Sequence, residues 1–399
     1  MILNSKLANE LFRGFYIERW NDRIRPMMLT EMDKHGHKLV LAYCIGKYEE
    51  TQGTKINWNL IFSDAIFEFL RRIIISDIKS PIYQEIKQNQ EVFKKLNEYI
   101  FAQYEKIIPP QIFLNDFQNF LFNKNNRTSL EYRIIDAAHI YASYWEFKLV
   151  KCANPFQYQN EKIEREMMNR LMKYDDLIGI DKLQKNESIT NFIDLCGQLR
   201  FQIRWAQTPR VPKTSVLGHI MLVTAITYLI SLDLNCCDKR LYNNFFGALF
   251  HDLPEAVTRD IISPVKRSSE KLDNLITKLE KELADNEIFP YVEKNWIEEL
   301  RYFTQNEFDN KIKFNGNTVN QFDAPITTKD ISEKYNEDKF SPIDGEIIRF
   351  SDHYSAYLEA KNSIDAGIKS KELLDACDDM KAKYKNKTFA ELKVFELYN

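Results

Sequence analysis

One text is written twice in this chain. LANELFRGFYIERW (7–20) has a counterpart in FIDLCGQLRFQIRW (192–205), and both end in Arg-Trp after helically spaced apolar residues. A short Pro-containing connector follows each copy, then a stretch opening with Gly-His: GHKLVLAY at 36–43 and GHIMLVTA at 218–225. FSDAIFEFLRRIIISDIKSPI (62–82) tracks FFGALFHDLPEAVTRDIISPV (245–265) without a gap, and EYRIIDAAHIYASYWE (131–146) resembles EIIRFSDHYSAYLEA (346–360). Four matched segments in one order imply an internal duplication with a period of about 185 residues, far longer than a solenoid repeat. With 399 residues the chain has room for a separate core in each copy. The spacing predicts two homologous domains, 1–155 and 191–399. Residues 156–190 join them: a charged amphipathic helix, EKIEREMMNRLMKYDDL, and a polar linker, DKLQKNES.

Within each copy the apolar residues recur at helical rather than alternating spacing, and Gly (11) and Pro (12) are few, so an all-α fold of two tandem helical bundles is expected. The exception is an insertion in the second copy near 303–342. There KIKFNGNTVNQF alternates around an Asn-Gly pair, which predicts a small β-hairpin, and the remainder reads as polar loop and a candidate lid. The net charge is −3 with no block of like charges and no Gly-rich phosphate loop, which points away from nucleic acid polymers and toward a small-molecule partner. No secretory apolar region opens the chain and no run of about 18 apolar residues occurs, so a cytoplasmic protein with no membrane partner is expected. The six cysteines form no CxxC pair and read as buried free thiols.

Chemistry concentrates in the second copy. His251 and Asp252 lie side by side among Phe245, Phe246, Leu249 and Leu253, where an unpaired carboxylate would be costly to bury. Adjacent helical residues point about 100° apart, so the pair could flank one metal ion only if further ligands arrive from other helices. His219, on the apolar helix after Thr214-Ser215, and Asp352, within IIRFSDHYSAYLEA, are the candidates. Two imidazoles and two carboxylates suit one divalent ion of borderline hardness, Mn²⁺, Co²⁺, Zn²⁺ or Fe²⁺, with Mg²⁺ also admissible. A hydrogen-bonded core histidine is the competing structural reading. Glu255, one turn beyond the pair, can face the same pocket without ligating.

The order His, His-Asp, Asp on successive helices resembles the HD-domain metal-dependent phosphohydrolases. The blocks RWAQTPRVPKTSVLGH, HDLPEAVTRDIISPVK and FSDHYSAYLEA are similar to the bacterial 5'-deoxynucleotidases of that superfamily. The resemblance implies that His219, His251, Asp252 and Asp352 hold the metal and that Glu255 handles the proton of the attacking water or of the leaving oxygen. It further implies that Arg204 and Trp205 position the nucleotide, and that Asp260 and Lys266 contact sugar and phosphate. It departs at Gly218, where the family places a Glu before the first histidine; that change is expected to weaken the orientation of His219.

In the first copy Glu68 and Phe69 stand at the His-Asp positions and Arg72 at that of the acid, while His37, Asp77 and Asp136 are read as retained. A degenerate copy with a structural or regulatory role follows. His35 and His139 show no metal spacing, and His353 is expected to point away from the site. The leading function is removal of the 5'-phosphate from deoxynucleoside monophosphates. The alternatives are a dNTP triphosphohydrolase on the same site and a non-catalytic nucleotide sensor or pseudo-enzyme pair. The duplication is compatible with a homo-oligomer or with an internal pseudo-dimer.

Overall fold

The computed structural model describes residues 1–76, 78–123, 128–259 and 269–398, which form two compact units, Met1–Leu177 and Ile178–Tyr398. Both are helical, as expected; a small sheet was expected only in the second, and the first also carries a short two-stranded pair. The joining segment is itself structured: helix Asn160–Leu171 packs on Leu130–Ala153 in the first unit, and helix Ile178–Gln184 packs on Ile189–Gln198 in the second.

In the first unit helix Glu31–Thr51 lies against Leu130–Ala153 and Trp58–Ile75. In the second, helix Val216–Asp233 lies against Asp238–Phe250 and Gly345–Asp365, which in turn meets Lys371–Tyr384. Val216–Asp233 is apolar all round and long enough by composition to cross a membrane, yet 89% of it is buried in its own unit. A helix apolar on every face suits the centre of a bundle.

A short antiparallel pair leads into the central helix of each unit. In the first, β1 (Glu18–Arg19) pairs with β2 (Leu29–Thr30), with Glu18 opposite Thr30; in the second an isolated bridge joins Ile203 to Ser215. Thr30 and Ser215 then cap the helices, accepting from the backbone N–H of Asp33 at 3.2 Å and of Gly218 at 2.9 Å. A side-chain oxygen at this position satisfies a donor that the first helical turn leaves open.

The expected hairpin is present. β3 (Asn310–Phe314) runs antiparallel to β4 (Asn317–Val319), and Asn315 and Gly316 both take positive φ, 50° and 80°. That is the backbone of a tight two-residue turn, which Asn-Gly accommodates at least cost. Sequence alternation did not show the third strand, β5 (Ile343–Asp344), which pairs with β3. The insertion carries its own apolar cluster of Ile312, Ile326 and Ile331, with Val319, Tyr335 and Phe340 packed against it. All six cysteines are unpaired; Cys44, Cys196 and Cys377 are buried, but Cys152 is exposed, so the buried-thiol expectation fails there.

Candidate metal centre

Three elements of the second unit converge on one point. His219 lies in the first turn of Val216–Asp233, His251 closes helix Asp238–Phe250, and Asp352 sits in the second turn of Gly345–Asp365. One ligand atom from each lies within 4.8 Å of the others. The histidine Nε2 of residue 219 is 2.9 Å from Asp352 Oδ1, and the two imidazole centroids are 6.1 Å apart. Asp252 adds a carboxylate 3.2 Å from His251 Nε2.

The ring orientations suit a cation. His251 Nδ1 is 2.7 Å from the Ala248 carbonyl oxygen, so Nδ1 donates there and Nε2 is the nitrogen turned toward the cluster, with Asp252 at 3.2 Å. His219 Nδ1 faces the Glu359 carboxylate at 3.4 Å, leaving its Nε2 for the same point. Ligating histidines in metalloproteins are held this way, with the far nitrogen engaged. The electrostatics agree. Burial pulls His251 down, but Asp252 and Asp352 outweigh it and hold the imidazole at about 9. Burial and Arg204 likewise lower His219, and Asp352 and Glu359 raise it above its ordinary value. Burial raises Asp352, but His219 more than reverses this and takes the carboxyl well below the carboxylate range. The negative field that favours protons on both imidazoles would equally favour a divalent cation.

Glu359 is the residue that motif reading missed. Its side chain is fully buried and accepts from Trp205 Nε1 at 2.7 Å, Thr214 Oγ1 at 3.0 Å and Arg204 Nε at 3.4 Å. It therefore orients His219, the role expected to be weakened by Gly218, from two turns beyond Asp352 on the same helix. The signal was available as a Glu one helical face on from the ligand, but many helical glutamates share that spacing. Trp205 adopts φ 58°, a left-handed backbone rare outside glycine, which aims its indole at Glu359.

A buried clamp holds the helices together. Arg240 Nε and Nη2 donate to the Asp344 carboxylate at 2.7 and 2.9 Å, and Asn244 both donates to that carboxylate at 2.7 Å and accepts from the Asp344 backbone N–H at 2.8 Å. The helix ending at His251 is thus bonded to the residue that opens the helix bearing Asp352 and Glu359.

Glu255 is buried at the start of the short helix Glu255–Thr258, its backbone N–H bonded to the Asp252 carbonyl at 3.0 Å. A cleft of about 450 Å³ is lined by residues 203–210 and Lys213, including Arg204, Trp205 and Arg210. His353 Nδ1 is 2.7 Å from Tyr384 Oη. Asp260 and Lys266 lie outside the described residues, as does Asp77.

The first unit departs from its expected alignment. Arg19 and Trp20 donate to the buried Glu146 at 2.7 and 3.0 Å, and Trp20 has φ 56°, reproducing Arg204, Trp205 and Glu359. From the Arg-Trp pair to the helix cap is the same eleven-residue step in both copies, and the first ligand lies four beyond the cap. That register places Lys34, not His37, at the position of His219. Counting seven residues back from the buried Glu places His139, not Asp136, at that of Asp352. His37 instead packs edge-on against Trp145 at 5.0 Å, and Asp136 accepts from Tyr174 Oη at 2.5 Å. The Gly-His strings align three residues, nearly one turn, away from this register, an offset that preserves apolar matches while moving the polar ones.

Charge in that unit is arranged in two linked groups. Glu68 is 2.9 Å from His139 and 2.8 Å from Lys38 Nζ, and Glu31 collects Arg19, Arg72 and His35 at 2.8, 3.3 and 3.3 Å. Burial depresses Lys34 to about 7 against the pull of Glu31, and depresses His139 to about 4; burial is overcome at Glu31 and Glu68, which lie well below the carboxylate range because of Arg19 and Lys38 respectively. The unfolded chain therefore binds more protons than this unit between about 10.5 and 7 for Lys34 and between 6.5 and 4 for His139, and the carboxylates add the same sign at lower pH. Thermal melting of the first unit is expected to fall from pH 9 to pH 7; below about 6 the Asp64 carboxyl, pushed up by burial, works in the opposite sense. A melting temperature rising on acidification through pH 7 would contradict it.

Two helical units, one with two imidazoles and a carboxylate converging from successive helices, define a tandem HD-type protein. Residues 8–183 match the family model described as 5'-deoxynucleotidase YfbR-like, and residues 196–381 match that of the HD domain. The chain belongs to the HD-domain phosphohydrolase family, with the 5'-deoxynucleotidase-like match on its first half. A stretch of 74 residues is 36% identical to the dATP triphosphohydrolase of Acinetobacter phage SH-Ab 15497, covering 16% of this chain and 36% of that protein. The chain thus spans about a third of the length of the curated relative it matches.

Proposed function

We propose that the second unit is a divalent-metal-dependent phosphohydrolase that removes the 5'-phosphate from deoxynucleoside monophosphates. The observation that carries this reading is the convergence of His219, His251 and Asp352 within 4.8 Å, both rings with Nδ1 turned away and Nε2 turned in. Asp252 is the proposed fourth ligand. An ion held by these four would neutralise phosphate charge and make a water acidic enough to attack near pH 7.

The remaining steps belong to the chain. Glu255 is assigned the proton: it takes one from the attacking water or returns one to the ribosyl oxygen. Arg204, locked on Glu359, presents a fixed cation at the floor of the cleft, with Arg210 held beside it by Thr214 Oγ1 at 2.5 Å and the Pro212 carbonyl at 3.2 Å. Lys213 lies exposed at the rim. A 450 Å³ cleft is within the range of nucleotide-sized sites. Trp205 supplies the apolar face against which sugar or base would rest. Asp260 and Lys266 are assigned to sugar and phosphate.

The named relative favours a second reading, a dNTP triphosphohydrolase on the same site, since Arg204, Arg210 and Lys213 could meet more than one phosphate. Metal-stripped protein supplied with dAMP, AMP or dATP and with Mn²⁺, Co²⁺, Mg²⁺ or Zn²⁺ separates the two. Metal-dependent orthophosphate from dAMP is the expected result. Tripolyphosphate from dATP with none from dAMP would transfer the assignment to the second reading, and inertness toward all three would reject both.

A further inference from the structure

The register of the first unit puts four side chains where the second has its proposed ligands: Lys34 for His219, Glu68 for His251, Phe69 for Asp252 and His139 for Asp352. We propose that the first unit takes no metal ion because the Lys34 amino group fills the position itself, closing the old metal site from within. The inference rests on the metal-binding reading of the second unit for its point of comparison.

The geometry carries it. Lys34 Nζ is 2.5 Å from His139 Nδ1, and His139 is 2.9 Å from Glu68, so amine, imidazole and carboxylate form one contiguous cluster. Lys34 and Lys38 are fully buried, and the Lys34 amine also lies 3.9 Å from Glu31. Lys38 Nζ takes the second oxygen of Glu68 at 2.8 Å. Lys34, Glu68 and His139 are thus already engaged with side chains of the same unit, His139 through Nδ1, which both Lys34 Nζ and Glu68 approach.

The neighbouring positions have changed as well. Phe69, fully buried, replaces the carboxylate of Asp252 and lies tilted against His35 at 4.9 Å, so a wall of hydrocarbon stands where a fourth ligand would be. Arg72, at the position of Glu255, is turned to Glu31 at 3.3 Å. A buried carboxylate left without its cation would be costly, and a lysine on the next helix supplies a partner that does not dissociate. The Arg19, Trp20 and Glu146 group persists because it braces the helices whether or not a metal is present. The first unit is thereby independent of metal supply, and the chain is expected to hold one ion.

The test uses the full chain with the second site emptied by His251→Ala and Asp252→Ala. After equilibration with Mn²⁺ or Zn²⁺ and dialysis, elemental analysis is expected to find no retained ion. Adding Lys34→Ala to that background opens the position between His139 and Glu68, and melting is then expected to rise on addition of Zn²⁺, a shift absent in the lysine-bearing parent. A retained ion in the lysine-bearing background, lost on Glu68→Gln, would overturn the proposal. So would a Lys34→Ala protein that folds and melts identically with and without Zn²⁺. Should Lys34→Ala fail to fold, the retained-ion measurement on its parent still decides. If the unmutated chain retains no ion, the reading of the second unit fails, whereas the zinc-dependent melting of Lys34→Ala reports on the first unit alone.

Discussion

His251→Ala and Asp252→Ala proteins are expected to lose metal binding and phosphate release together, with the rate falling roughly a thousandfold or more, because a bound ion contributes several kcal/mol of charge stabilisation and each 1.4 kcal/mol is about tenfold. His251 has Nδ1 fixed on the Ala248 carbonyl, so its Nε2 is committed to the cluster and no neighbouring imidazole can replace it except His219, already engaged. Asp252 stands against that Nε2 at 3.2 Å. Isothermal titration with Mn²⁺ and orthophosphate release from dAMP read the two losses. Full activity in either variant would remove the residue from the proposed ligand set. Loss of activity with unchanged metal affinity would move it to substrate binding.

Glu359→Ala is expected to be the most damaging single change to the second unit outside the ligands. The carboxylate is fully buried and is shared by Arg204, Trp205, Thr214 and His219, so its removal takes one carboxylate partner from a half-buried guanidinium and from a buried imidazole at once. Breaking a buried pair by deleting one side costs about 3–5 kcal/mol. Glu359→Gln keeps the volume and part of the hydrogen bonding while removing the charge that orients His219, and metal affinity is expected to fall about 10–100-fold with a smaller loss of stability. Chemical denaturation and metal titration of both variants check this. A Gln variant with unaltered affinity would show that Glu359 braces Arg204 and Trp205 without acting through His219.

His219, His251, Asp252 and Asp352 were singled out by an unusual residue type in an apolar context, and burial of such groups leaves few alternatives to a shared partner. Three of them, His219, His251 and Asp352, were then found within 4.8 Å of one another, with Asp252 against His251. Glu359 carries no such flag, since a glutamate two turns along a helix is ordinary until the fold buries it. The hairpin was legible because Asn315-Gly316 demands a backbone that few other pairs adopt. Its third strand was not, because Ile343–Asp344 is two residues long and pairs with Lys311 and Asn310, 32 and 34 residues earlier in the chain.

Local chemistry written in the chain by itself determined the duplication, the helical class, the Asn-Gly turn and the cluster of ligand types, because each is set by residue identity over a few turns. Only the tertiary structure decided which residues of the first copy stand in the ligand positions. Gly36-His37 and Gly218-His219 look alike as strings, yet the β1–β2 pairing and the cap at Thr30 fix the helix three residues away, where Lys34 enters the cluster. Apolar faces tolerate such a shift because one helical turn returns nearly the same surface. A buried amine, imidazole and carboxylate do not, because each must meet its partner within hydrogen-bonding distance.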